Sequence, residues 1–461
     1  MEKTKDFRLG HRDRVRARFL REGLSAFADY EVLELLLFYA IPRRDTKGQA
    51  HALDDTIGSL YEALTADADA LYRVKGIGER TAAFLRSLYP FLEYVAKGEP
   101  HGDVCRDDKS LAVNIFPYLD RSQGETATIV FLNNRDNVIY AKQLGAGKSL
   151  LLTDLKGIMA DAYFYGAPSV VLADYKAEGI PFPDGMIVQG LHSMKEELYR
   201  VGIRLRDYMM FTDSQYNSLF LLTGQRAFES PSPFFIYPSL IETPTYCNDS
   251  MRHLVDILSF VSREEKAKAI AERLLTKYRT IENILSLPYT TLVTEDESWT
   301  GEMLFLKILS EVYARAELSR VRKRKGKYAN AREIGEMFSS IIGTYSEEIV
   351  ALAMFDKDMN LIDVFFCNKG AVNSTAFAMR TMAEVAVGAR AAYVAIAHNH
   401  PSGVTEPSMA DIAMTTGLQM SFSQANIAFI DHFVVTASDY LAISRSHEKQ
   451  YSCMPDEFFE K

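Results

Sequence analysis

The chain has little cysteine: four residues in 461, Cys105, Cys247, Cys367 and Cys453. They are widely scattered, with no Cys-x-x-Cys pair and no histidine at zinc-finger spacing. That excludes a disulfide scaffold and a cysteine-based zinc module, and leaves structural thiols as the expectation. No apolar run approaches the ~18 residues that a membrane span needs. The opening residues, MEKTKDFRLGHRDRVRARFL, lack the apolar core of a signal peptide. A cytoplasmic protein with no membrane contact is therefore expected. Positive charge is in deficit, with 52 Lys and Arg against 61 Asp and Glu and a net charge of −9. This argues against a surface coated by nucleic acid but leaves room for a local basic face. With 48% hydrophobic and 25% charged residues the composition is that of a globular protein. The length suggests about three domains.

The most informative stretch is AIAHNHPSGVTEPSMAD, Ala395 to Asp411. The alternating run AAYVAIA before it predicts a buried strand ending at His398. Residues two apart on a strand share a face, so His398 and His400 can point at one ion. Pro401, Gly403 and Pro407 supply a turn, Ser408 suits a helix N-cap, and Asp411 would then lie in the first helical turn, aimed back at the strand end. Two imidazoles and a carboxylate with a fourth position open is how catalytic zinc is held.

Taken in order, the chain starts with a segment rich in arginine. On a helix, Arg14, Arg18 and Arg21 would share one side, either as a phosphate-facing patch or as a solvated face. Two helices separated near Pro42 follow. The turn Lys75-Gly76-Ile77-Gly78 then resembles a helix-hairpin-helix element. Its glycines would let backbone amides approach a phosphate, with Lys75 and Arg80 alongside; a purely structural turn is the other reading. DNA contacted there would be held without regard to base sequence. From Glu125 the pattern changes to strand, strand, helix, strand, implying a mixed sheet packed by helices.

The chain then repeats itself. RTIENIL starts 221 residues after GSLYEAL, and Asp431 stands 224 residues after Asp207. The predicted fold class is α/β, with mixed-sheet modules of α-β-α type alternating with all-α helix-hairpin-helix modules. The modules are a helical one at residues 1–123, an α/β one at 124–224 without metal ligands, a second helical one with a degenerate hairpin at 225–342, and an α/β one with the metal site at 343–461. In the first α/β copy His398, His400 and Asp411 map to Asp174, Lys176 and Ile187, and the only nearby histidine is His192. In the second helical copy the glycine turn maps to Asp296-Glu297-Ser298-Trp299, whose acidity would repel phosphate. The halves can pair within one chain as a pseudo-dimer. The basic run SRVRKRKGKYANAR reads as an exposed helix end or as a nucleic-acid contact.

His-x-His-Pro, six residues, then Ser-x-x-Asp resembles the signature of the JAMM, or MPN-plus, metal-dependent hydrolases, and HNHPSG resembles their RadC branch in particular. The resemblance implies zinc held by His398, His400 and Asp411, and Ser408 as a hydrogen-bond donor to the oxyanion. It also implies a glutamate from an early strand as general base. Glu348, before IVALAMF, fits that place, with Glu347 facing the other side; Glu125 precedes the matching strand of the first copy, which leaves a structural role open. Asp431-His432 reads as a fold-supporting pair, with support of a ligand as the alternative. The implied chemistry is hydrolysis of a peptide or isopeptide bond in a protein substrate, with an association with DNA repair or recombination. The alternatives are a zinc-dependent nuclease and a DNA-binding or scaffold protein without peptidase activity.

Overall fold

The computed structural model describes residues 10–41, 44–97, 108–122, 124–133, 136–146, 155–177, 185–213, 215–218, 234–235, 248–324, 326–345, 348–367, 375–400, 405–437, 439–446 and 452–459. Six helices come first: α1 (His11–Glu22), α2 (Asp29–Ala40), α3 (Lys47–Thr56), α4 (Leu60–Thr65), α5 (Ala68–Tyr72) and α6 (Glu79–Lys97). The first α/β module follows as α7 (Asp108–Ile115), β1 (Glu125–Leu132), β2 (Val138–Ala146), α8 (Leu155–Tyr165), β3 (Ser169–Lys176), α9 (Gly185–Arg200), β4 (Arg204–Phe211), β5 (Gln215–Ser218) and β6 (Phe234–Phe235). A second helical set comprises α10 (Asn248–Leu258), α11 (Glu264–Tyr278), α12 (Ile281–Ser286), α13 (Tyr289–Val293) and α14 (Thr300–Lys323). The last module holds α15 (Ala331–Ile342), β7 (Val350–Phe355), β8 (Leu361–Cys367), α16 (Thr375–Gly388), β9 (Tyr393–Asn399), α17 (Met409–Gln424), β10 (Ala428–Val435) and β11 (Tyr440–Ala442). The boundary expected at residue 225 lies outside the described residues, as does Glu347.

The two sheets share one topology. One runs β2-β1-β3-β4-β5-β6; the other, read from its β8 edge, runs β8-β7-β9-β10-β11, with β7 to β11 standing for β1 to β5. In each, one central pair is parallel, β3 with β4 and β9 with β10, and the described neighbours pair antiparallel. The helical sets repeat as well: Ser59 caps α4 by accepting from the Glu62 N–H, and Thr280 caps α12 by accepting from the Asn283 N–H. Both caps stand where a short polar residue precedes an apolar helical run.

Cα packing divides the molecule into two units, one of Gly98–Lys307 and one of Met1–Lys97 with Ile308–Lys461. Within the first, Asn283 joins sheet to helices. Its buried side chain donates to the Val138 and Tyr278 carbonyls at 2.9 and 2.8 Å and accepts from Asn133 at 2.6 Å.

Within the second unit, α14 residues hold the N-terminal helices by charge. Glu311 accepts the Leu24 N–H at 2.6 Å, Arg315 pairs with Asp29 at 2.7 Å, and Tyr89 donates to Glu317 at 2.7 Å. The C-terminal sheet of this unit is buried on both faces, so period two is read in its packing and not in polarity. Ala351, Ala353 and Phe355 of β7 lie in the core facing α15, while Val350, Leu352 and Met354 lie in the core facing α16 and α17. The result is the α-β-α layering expected from the sequence.

Close approach needs glycine at two places. A Cβ on Gly335 would overlap the Tyr440 ring, and one on Gly343 would overlap the Thr436 backbone carbonyl. A ring can turn aside, but a backbone carbonyl cannot move as cheaply. Gly343→Ala is therefore expected to cost about 1–3 kcal/mol through overpacking, measured by urea denaturation, with Gly78→Ala, which meets open space, as a control.

Candidate metal centre

β9 extends one residue past the expected end, to Asn399. Its even positions, Val394 and Ile396, face α16 and α17, so His398 points to the same side. The α17 start is a capping box: Ser408 accepts the Asp411 N–H at 3.2 Å, and the Asp411 carboxylate accepts the Ser408 N–H at 2.7 Å and its hydroxyl at 2.6 Å. That reciprocal bonding turns Asp411 back toward the strand. Ligand atoms of Glu348, His398, His400 and Asp411 all lie within 4.8 Å of one another. Glu348 stands two residues before β7 and is exposed, whereas His398 is 1% exposed.

The donor set fits a small divalent cation. His398 Nε2 is 2.9 Å from His400 Nε2 and 3.3 Å from one Asp411 oxygen, and His400 Nε2 is 3.7 Å from the other. Metal–donor bonds of ~2.0–2.1 Å give a tetrahedral edge of about 3.3 Å, so these separations bracket the requirement. Two imidazole nitrogens facing each other beside a carboxylate are best satisfied by a shared cation. Burial alone would raise the Asp411 carboxyl, but its bonds to His398, His400 and Ser408 outweigh that and hold it well below the usual carboxylate range. It is ionised at neutral pH, as a metal ligand must be.

Sequence reasoning left the contact of His432 unspecified. The buried His432 Nε2 lies 2.8 Å from His398 Nδ1, and its Nδ1 lies 2.7 Å from the Thr415 hydroxyl. Burial, reinforced by the neighbouring imidazoles, pushes His432 well below its ordinary value, so it is neutral at pH 7. The signal in the sequence was Thr415, one helical turn after Asp411 on the same face.

The other candidates lie elsewhere. Lys75, Gly76 and Gly78 sit at the turn between α5 and α6, with Arg80 in the first turn of α6, and Gly76 has φ +92°, a conformation that itself favours glycine. Four of the cations in the basic block at the end of α14 form ion pairs: Arg322 with Asp363, Lys323 with Glu62, Arg324 with Glu333 and Arg320 with Glu317. At the N-terminus Arg18 pairs with Glu22 and Glu31.

Strand register shows what stands at the matching positions of the first copy. Ala127 pairs with Asp174 as Val350 pairs with His398, which sets Glu125 over Glu348 and Lys176 over His400. Lys176 lies 3.2 Å from Glu125, so an ammonium stands at the position that matches His400. Among the described residues, no group of potential ligands forms there. Asp174 accepts the Tyr208 hydroxyl at 2.5 Å, yet burial pushes its carboxyl up to about 6.

An unfolded aspartate titrates near 3.9, so between about pH 4 and 6 the folded state binds the extra proton. Stability therefore falls as pH rises through that window and stays reduced above it. Asp174→Asn keeps an acceptor for Tyr208 and is expected to gain about 1–3 kcal/mol at pH 7 and to flatten the dependence between pH 4 and 6, as measured by thermal melts.

The chain is similar to known proteins. The model of the RadC-like JAB domain family matches residues 107–224 and 328–449. A UPF0758 protein of Fusobacterium nucleatum subsp. nucleatum is 27% identical over 220 residues, 45% of this chain and 94% of the relative. A UPF0758 protein of Ruegeria pomeroyi is 28% identical over 209 residues, 44% of this chain and 92% of the relative. Each relative, nearly at full length, accounts for less than half of this chain. Matched twice by the family model and built on two sheets of one topology, the chain belongs to the RadC-like JAB domain family in an internally duplicated form.

Proposed function

We propose that the chain is a zinc-dependent hydrolase of JAMM type that cleaves a peptide or isopeptide bond, using one centre in its C-terminal module. The observation that carries this is the convergence of Glu348, His398, His400 and Asp411. Zinc in such a site supplies Lewis acidity that brings the pKa of water to about 7. His398, His400 and Asp411 hold it. The Ser408 amide keeps the Asp411 carboxylate turned inward, while the Ser408 hydroxyl, whose one hydrogen goes to Asp411 here, is the candidate donor to the oxyanion once it turns away from that carboxylate. Glu348, exposed at the mouth of the group, takes a proton from the attacking water and returns it to the leaving nitrogen. An amide is favoured over a phosphodiester by the described residues that flank the ligands. Positions 405–413 contain no Lys or Arg, and Met409, next to Ser408, is 79% exposed.

The test is incubation of zinc-loaded protein with peptide and isopeptide-linked substrates, and in parallel with single- and double-stranded DNA, products being read by mass spectrometry and gel. Amide cleavage that a chelator stops and zinc restores is the expected result. DNA cleavage alone would replace the reading with a nuclease, and DNA binding without any cleavage would replace it with a scaffold protein.

A further inference from the structure

We propose that His432 and Thr415 are positioning residues that set the tautomer of His398, so that its Nε2 lone pair faces the other metal ligands. This rests on the metal reading above.

The Thr415 hydroxyl donates its only hydrogen to the Asp411 backbone carbonyl at 2.7 Å, a bond back to the preceding turn of α17. Toward His432 Nδ1, at 2.7 Å, Thr415 can therefore only accept. His432 carries its hydrogen on Nδ1, which leaves Nε2 as an acceptor. His398 Nδ1, at 2.8 Å, must then donate, and the His398 lone pair is left on Nε2, the atom turned toward His400 and Asp411. All three side chains are buried, at 0% exposure for Thr415 and His432 and 1% for His398, so water does not supply alternative partners cheaply. The chain of bonds starts and ends on metal ligands, His398 by its ring and Asp411 by its carbonyl.

The duplicate separates this role from fold support. Asp431 and its counterpart Asp207 do the same thing in both copies: each accepts the N–H of the next residue at 2.7 Å and the hydroxyl of a serine, Ser444 or Ser218. That part of the Asp431-His432 pair belongs to the fold. At the next position the copies diverge. His432 is replaced by Tyr208, a hydroxyl that donates to Asp174, the counterpart of His398. Thr415 is replaced by Leu191, buried and apolar. The acceptor is therefore kept where a ligand histidine must donate, and a donor stands where the ligand has become a carboxylate. The relay's last member is absent from the copy that lacks the ligand group.

The experiment measures zinc dissociation constants of the full chain by competition with a chromogenic chelator, with melts of the zinc-free proteins in parallel. His432→Phe is expected to weaken zinc about 10- to 100-fold. Thr415→Val should weaken it about tenfold, and His432→Gln, which can place an acceptor near the same point, should recover most of the affinity. Asp431→Asn should lower the melting temperature and leave zinc affinity within about twofold. Zinc affinity unchanged in folded His432→Phe and Thr415→Val would overturn the proposal.

Should His432→Phe not fold, nitrogen-15 histidine spectra of the unaltered protein decide the matter. His398 protonated on Nδ1 supports the relay, and His398 protonated on Nε2 in the zinc-free protein overturns it. Absence of zinc binding by the unaltered protein would instead defeat the metal reading, and the tautomer measurement would still judge the relay.

Discussion

Changing both His398 and His400 to alanine should take bound zinc from about one ion per chain to close to none. A tetrahedral site needs at least three good donors, and the double change leaves Asp411 with Glu348, two carboxylates that hold zinc weakly without imidazole. The first α/β copy does not compensate, because Asp174, Lys176 and Ile187 stand at the corresponding positions. Elemental analysis after dialysis reads the result directly. Near two ions per chain in the unaltered protein would mean that the first copy also binds, and unchanged zinc in the variant would place the ion elsewhere. His398 is buried against His432, so its removal leaves a cavity and an unpaired nitrogen costing about 1–3 kcal/mol. The single change His400→Ala, at a more exposed residue, separates loss of metal from loss of fold.

Glu348→Gln should leave zinc content and melting temperature near those of the unaltered protein while lowering turnover of an amide substrate by about 10²- to 10⁴-fold, the usual contribution of a positioned general base. Glutamine preserves shape and removes the proton acceptor. The residue is exposed and precedes β7, so it carries little of the packing. A loss of zinc in this variant would make Glu348 a ligand in place of a base. Full activity would require another group to move the proton and would count against the proposed mechanism.

Local chemistry was legible in the sequence, and distant chemistry was not. The alternating run before His398, the turn residues and the Ser408 N-cap with Asp411 three residues on were all readable, because strand period and capping depend on neighbours in the chain. The duplication was readable too, since offsets of 221 and 224 need only comparison of the sequence with itself. The contact between His398 and His432 was not. It depends on parallel pairing of β9 with β10, whose register shifts between Phe429 and His432, and no local pattern encodes such a shift. Nor could composition show that Lys323, in the basic run, pairs with Glu62, 261 residues away. Charge runs state how much charge is present; the tertiary fold decides what neutralises it.

The unit carrying the metal ligands is made of two stretches separated by Gly98–Lys307, and this bears on the order in which the protein folds. The intervening unit is continuous and can close as soon as it has been synthesised. Helices α1 to α6 must wait for partners such as Arg315, 288 residues beyond the Phe27 carbonyl that it binds. The equilibrium cost of so long a closure is small, because each doubling of a loop adds only about 0.6 kcal/mol. The kinetic cost is larger, because contacts of high sequence separation form slowly. The ligand-bearing unit is thus expected to be the later of the two to assemble, so that Glu348, His398, His400 and Asp411 come together after the ligand-free copy has folded.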